Sequence, residues 1–315
     1  MRRDSGLTKR GAALLLSLFM LFTALCAAAE SDTEKGESFM FENEIPAEYL
    51  TKVPDGGRIE EITYPSKDYY KDQADVEKHA LVYVPAGYTG EEPCDVLVLC
   101  HGVGGTEYEW GFTKENSESR NLADHLFAEG KVRNLIIVLP NGRSTANCKD
   151  TSWGNMYAFY SFGQELRNDL IPYIDAHYNT WGSKLQDDPA AARQHRAMAG
   201  LSMGGMQTIN IGMCECLELI SAFGAFSAAP TTLTSAQIAA KLKEFPEDLD
   251  IRVFYNICGT EDSIAYASAS TAAKDLLKYT DQLTEASFHW QECPGDHNFD
   301  IWYLGLFNFL RILGN

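Results

Sequence analysis

From about residue 96 onward the chain alternates short, almost unbroken apolar runs with amphipathic stretches, and this alternation constrains its fold more than any other feature. The apolar runs are Val96–Cys100, Leu135–Leu139, Arg196–Ala199, Ala222–Phe226, Ile251–Ile257 and Ser287–Glu292. Between and after them lie helical patterns near Asn121–Ala128, Phe162–His177, Met203–Cys216, Ala236–Phe245, Ala267–Tyr279 and Ile301–Leu313. Strands that are apolar on both sides need cover on both sides. A strand–helix alternation supplies it by packing helices on both faces of a mostly parallel sheet. Two earlier alternating segments, Arg58–Tyr64 and Leu81–Pro85, read as antiparallel strands at its edge. No repeat or composition break follows residue 55, so 56–315 is expected to be one α/β domain.

What precedes that domain reads differently. Arg2, Arg3, Lys9 and Arg10 form a basic start, Ala12–Leu25 is apolar, and Ala27-Ala28-Ala29 supplies small residues for cleavage. Residues 1–29 are therefore expected to be a secretory signal peptide rather than a membrane anchor. Leu25 before Cys26 does not suit a lipoprotein site. Residues 30–55 read as an acidic leader or linker. Cleavage would remove four basic residues and one acidic one, taking the net charge from −18 to −21, that is 22 basic against 43 acidic residues. Such a chain is a poor ligand for nucleic acid, whose phosphates call for Lys and Arg. A soluble protein outside the cell is expected, with no stable membrane partner once the signal is gone. Seven of the eight cysteines would remain, an odd number that cannot all pair within one chain. None has zinc-site spacing, and most are expected to be small buried apolar residues. No metal or other cofactor is implied.

The chemistry concentrates in Gly200-Leu-Ser-Met-Gly204, which has the G-x-S-x-G pattern with an apolar strand before it and a helix after it. A sharp strand-to-helix turn lifts a serine hydroxyl above a sheet, and glycines on either side avoid steric clash there. Ser202 is therefore the candidate nucleophile. It needs a base, and the base needs an orienting carboxylate. Downstream histidines are His289, inside a strand pattern, and His297, in the Pro294-Gly-Asp-His-Asn-Phe299 loop. His297 is the candidate base. Glu261 and Asp262 follow the Ile251–Ile257 run, and either could orient it; Asp262 is preferred, while Asp296 adjoins the histidine too closely to grip its ring. The backbone N–H of Met203 and that of Val103, in Cys100-His-Gly-Val-Gly-Gly105, are the candidate oxyanion donors. His101 reads as a residue bracing that loop.

Taken together with Leu135-Ile-Ile-Val-Leu-Pro-Asn141, Leu170-Ile-Pro-Tyr-Ile174 and Ser227-Ala-Ala-Pro230, these motifs resemble the feruloyl esterase branch of carbohydrate esterase family 1. The resemblance runs from about Lys78 to the end of the chain. It implies an α/β-hydrolase fold, Ser202, Asp262 and His297 as the triad, and a secreted enzyme cleaving feruloyl or acetyl esters from plant-wall xylan. The segment 141–162 is the part least like the family. Its Trp153, Tyr157 and Tyr160, with Trp110 after the Gly-rich loop, are candidate contacts for a sugar or phenolic ring. Other expectations compatible with the same residues are an acyltransferase resembling the mycolyltransferases, a siderophore-ester hydrolase, and a non-catalytic carbohydrate-binding protein on a decayed hydrolase fold.

Overall fold

The computed structural model describes residues 40–314, except Arg133. The expected signal peptide, and the leader before residue 40, lie outside the described residues. Eight strands form one sheet: β1 Arg58–Lys67, β2 Asp75–Val84, β3 Asp95–Cys100, β4 Leu135–Pro140, β5 Arg196–Leu201, β6 Ala222–Phe226, β7 Val253–Gly259 and β8 Phe288–Cys293. Their order across the sheet is β1-β2-β4-β3-β5-β6-β7-β8. β1 and β2 run antiparallel to each other, and β2 runs antiparallel to β4. All other pairs are parallel. This is an α/β-hydrolase fold with a mostly parallel sheet.

The unbroken apolar strands follow from burial on both faces. Along β3, Val96 and Val98 join one core with Leu166, Leu170, Ile209 and Phe254. Leu97 and Leu99 join the other, with Leu122, Leu126, Leu306 and Phe309. Helix α1, Glu118–Ala128, begins where Ser117 accepts the Arg120 N–H through its side chain. Helix α2 spans 162–177 and α3 spans 203–213. Helix α4, Ser235–Leu242, starts with a capping box between Thr234 and Gln237. The helix expected over 267–279 is two pieces, α5 at Tyr266–Ala273 and a single turn at Leu276–Tyr279, because Asp275 at φ 63° interrupts the winding. Helix α6, Phe299–Gly314, follows the last strand.

Part of the segment expected as leader, the described residues 41–49, packs on the domain. Phe41 stacks on Tyr255 with ring centroids 5.0 Å apart. Asn308 Nδ2 donates to the Glu42 carbonyl at 2.9 Å, and Asn308 Oδ1 accepts the Glu42 N–H at 3.0 Å. Tyr49 is buried, with its ring 4.9 Å from that of Phe307. Acidic residues around these rings hide them in a composition window, but the rings cover the α6 side of the sheet.

Candidate active site

Strand β5 ends at Leu201 and α3 begins at Met203, so Ser202 alone makes the turn. It adopts φ 50°, a left-handed conformation that costs a non-glycine residue of order 1–3 kcal/mol. Glycine is obligatory at both ends of this turn. A Cβ on Gly200 would lie 2.5 Å from the Gly204 carbonyl carbon, and one on Gly204 would lie 2.6 Å from the Cys100 carbonyl oxygen. The sequence pattern is thus the steric record of the turn.

Three loops from the carboxyl ends of the strands converge on the serine. His297, between β8 and α6, places Nε2 3.0 Å from Ser202 Oγ. Its Nδ1 lies 2.7 Å from Asp262 Oδ2. Asp262, just after β7, is buried and accepts the N–H groups of Ile264 and Ala265 at 3.0 and 2.7 Å on its other oxygen. Burial opposes charge on this carboxyl. The Ala265 N–H and the hydrogen bond from His297 outweigh it and hold the group below the usual carboxylate range. Glu261 points to solvent. Asp296 accepts the backbone N–H of His297 at 2.8 Å and does not grip its ring. His289 lies in β8 with its ring 5.0 Å from Phe41. The Trp302 indole stands edge-on to the His297 ring, centroids 5.1 Å apart.

The third loop follows β3 and carries Val103. His101 Nε2 accepts the Gly142 N–H at 3.2 Å, so its proton sits on Nδ1, which donates to the Gly102 carbonyl at 2.7 Å. The Gly105 N–H reaches the same carbonyl at 3.2 Å. Because the peptide is planar and trans, fixing the Gly102 C=O fixes the Val103 N–H in the opposite direction. Glu109 Oε2 accepts the Gly102 N–H at 2.6 Å, locking the preceding peptide as well. Met203 opens α3, and its N–H has no acceptor within the helix. Both expected donors therefore belong to rigidly held peptides beside the serine.

The ring contacts divide. Trp110 is 1% exposed, with Nε1 donating to the Cys100 carbonyl at 3.1 Å and its ring edge-on to Phe226 and Phe299. It cannot meet a substrate. A tryptophan beside a Gly-rich loop here fills the space beneath that loop. Trp153 is 73% exposed and Tyr157 59% exposed, on one 3-10 helix, Trp153–Ser161. Tyr160, Met156 and Val103 pack against a small cluster of Phe159, Met203, Met206 and Ala229. Tyr157 lies against Tyr160 with centroids 6.2 Å apart. An apolar wall thus runs from the candidate oxyanion donors outward to the exposed Tyr157 ring. Two residues at this site have no role assigned from sequence, although the first lies in the Ser227-Ala-Ala-Pro230 motif. Ser227, at φ 47°, is fully buried within reach of the Cys258 thiol, which also contacts Asp262. The other is Arg143, three residues past β4, whose only sequence mark is a basic side chain placed where the strand ends meet the site.

Residues 73–311 match the family model described as "Putative esterase". The endo-1,4-beta-xylanase Y of Acetivibrio thermocellus is 29% identical over 277 residues, 84% of this chain and 24% of that protein. The endo-1,4-beta-xylanase/feruloyl esterase of Xylanibacter ruminicola is 33% identical over 159 residues, 48% of this chain and 19% of that protein. The chain thus spans about a quarter or less of the length of these curated relatives. Among solved structures, a mutant of the feruloyl esterase module from Clostridium thermocellum complexed with sinapinate superposes with a TM-score of 0.68 at 25% identity. That match covers 89% of this chain and 95% of the module.

Proposed function

The chain belongs to this esterase family and is a carboxylic ester hydrolase, and we propose that it is secreted and removes feruloyl or acetyl groups from plant cell-wall xylan. The observation that carries this reading is the hydrogen-bonded line from Asp262 through His297 to Ser202. In the proposed cycle His297 Nε2 takes the Ser202 Oγ proton as the oxygen attacks the ester carbonyl. The tetrahedral oxyanion sits against the Val103 and Met203 N–H groups. The intermediate collapses as the imidazolium protonates the departing sugar oxygen, leaving Ser202 acylated. Water, deprotonated by the same imidazole, then attacks the acyl carbonyl, and its collapse releases the acid and restores the serine. Asp262 stays ionised throughout and stabilises the imidazolium.

A feruloyl group suits the apolar wall of Met156, Tyr160 and Val103, and exposed Trp153 and Tyr157 suit the sugar ring faces beyond it. Support also comes from relatives named for xylanase and feruloyl esterase activities and from the module complexed with sinapinate. The test is a panel of methyl ferulate, acetylated xylan and a short-chain nitrophenyl ester. Release of ferulate or of xylan acetate well above that from the nitrophenyl ester's background is expected. Turnover of the nitrophenyl ester alone would contradict the substrate class. Accumulation of acylated sugar when excess sugar is supplied would favour acyl transfer instead.

A further inference from the structure

Arg143 presents a cation with no exposed surface, and its guanidinium donates to carbonyl oxygens. Nη1 donates to the Gly105 carbonyl at 2.8 Å, and Nη2 donates to the Val103 carbonyl. The plane lies over the Phe159 ring, 4.6 Å from its centroid. Phe159 in turn packs with Met203. The backbone beneath is held as firmly. Asn141 Oδ1 accepts the Arg143 N–H at 3.2 Å, the buried Lys78 ammonium donates to the Arg143 carbonyl, and Gln207 Nε2 donates to the Gly142 carbonyl at 2.9 Å. A charge taken out of water is costly unless it is paired or hydrogen-bonded, and here the partners are the two loop carbonyls. The segment carrying it is the one whose sequence is least like the family.

We infer that Arg143 is a further positioning residue of the oxyanion site, beside His101 and Glu109: its two donors clamp the loop carbonyls on either side of Gly104, and its charge favours the negative oxygen that forms beside Val103 and Met203. The inference rests on the reading of Ser202 as an ester nucleophile. Two structural facts give it content. The clamp spans Val103 to Gly105, while His101 and Glu109 fix only the Gly102 end of the same loop. The stacked Phe159 links the guanidinium to the packing around Met203, so one side chain bears on both donors. A fixed positive charge in a site of low dielectric needs no reorganisation when the oxyanion forms. Lysine is a poor substitute, because an ammonium keeps the charge but lacks the planar fork that reaches two carbonyls and stacks on a ring.

The experiment compares wild type, Arg143→Met and Arg143→Lys on nitrophenyl acetate, with two ligands read separately. An aryl trifluoromethyl ketone adds to Ser202 and creates an oxyanion; neutral ferulamide, a poor acyl donor, does not. For Arg143→Met, kcat should fall about 100-fold with KM nearly unchanged, and ketone affinity should fall in parallel. Ferulamide affinity should hold. Arg143→Lys should lose about 10-fold in kcat with the same split, and it carries the test alone if the methionine variant does not fold. A folded variant with wild-type kcat and ketone affinity overturns the inference. So does one whose ferulamide affinity and KM worsen as much as kcat, which marks general damage to the pocket. Wild type that turns over nitrophenyl acetate but releases no ferulate contradicts only the proposed substrate. Wild type inactive on every ester removes the premise and this inference with it.

Discussion

Burial pushes the His101 imidazole down to about 3, so it stays neutral and keeps its Nδ1 proton on the Gly102 carbonyl wherever the enzyme works. The unfolded chain would titrate this group near its ordinary value of about 6.5. The unfolded state therefore takes up the proton first as pH falls. The contribution to stability is complete above about 6.5 and is lost progressively from there down toward about 3. Melting temperature measured from pH 7 to pH 4 should fall more steeply for wild type than for His101→Gln, and parallel slopes would contradict the assignment. At this scale the sequence is legible wherever chemistry demands a residue type in a set order. Ser202, His297 and Asp262 stand in strand-end loops because nucleophile, base and acid must, and Gly200 and Gly204 because nothing larger fits. Trp110 misleads and Arg143 goes unmarked for one reason. Whether a side chain turns into the core or toward a ligand is settled by tertiary neighbours that local sequence does not contain.

The strands are the most legible elements. Two-sided burial leaves runs such as Ala222–Phe226 with no polar register to blur their ends. Helix ends are less legible, since the break at Asp275 depends on one left-handed residue that composition does not mark. In the sequence the 3-10 helix Trp153–Ser161 shows only as aromatic residues without an element. It has little apolar periodicity, and its inner side is carried by Ala158 and Phe159 while Trp153 and Tyr157 stay exposed. That exposure gives the element its role in the proposed function. Trp153→Ala and Tyr157→Ala should each raise KM for feruloylated xylo-oligosaccharides by about 2–10-fold, the loss of one ring contact of about 0.5–1.5 kcal/mol. Nitrophenyl acetate kinetics should not change. Equal effects on both substrates would mean that these rings pack the fold rather than hold sugar.

Across the whole molecule, the acidic charge and the cysteines bear on where the protein works. The seven described cysteines are all buried and free. Burial pushes the Cys94 thiol up to about 11 and those of Cys216 and Cys258 up to about 12, so little reactive thiolate exists at neutral pH. The native protein should resist a thiol reagent, and, with the signal cleaved as proposed, the denatured protein should expose seven groups. Eight would mean that Cys26 and the signal remain, and fewer than seven would reveal disulfides. A catalytic domain that spans about a quarter of the A. thermocellus relative's length carries every group that the proposed cycle uses. The proposed cycle requires it to release an acyl group through Ser202. The most direct measurement is ferulate released from feruloylated xylo-oligosaccharides by wild type and by a folded Ser202→Ala variant. Steady release by wild type and a loss of at least about 10⁴-fold in the variant are expected; equal release by the two proteins would contradict a serine-based acyl-enzyme.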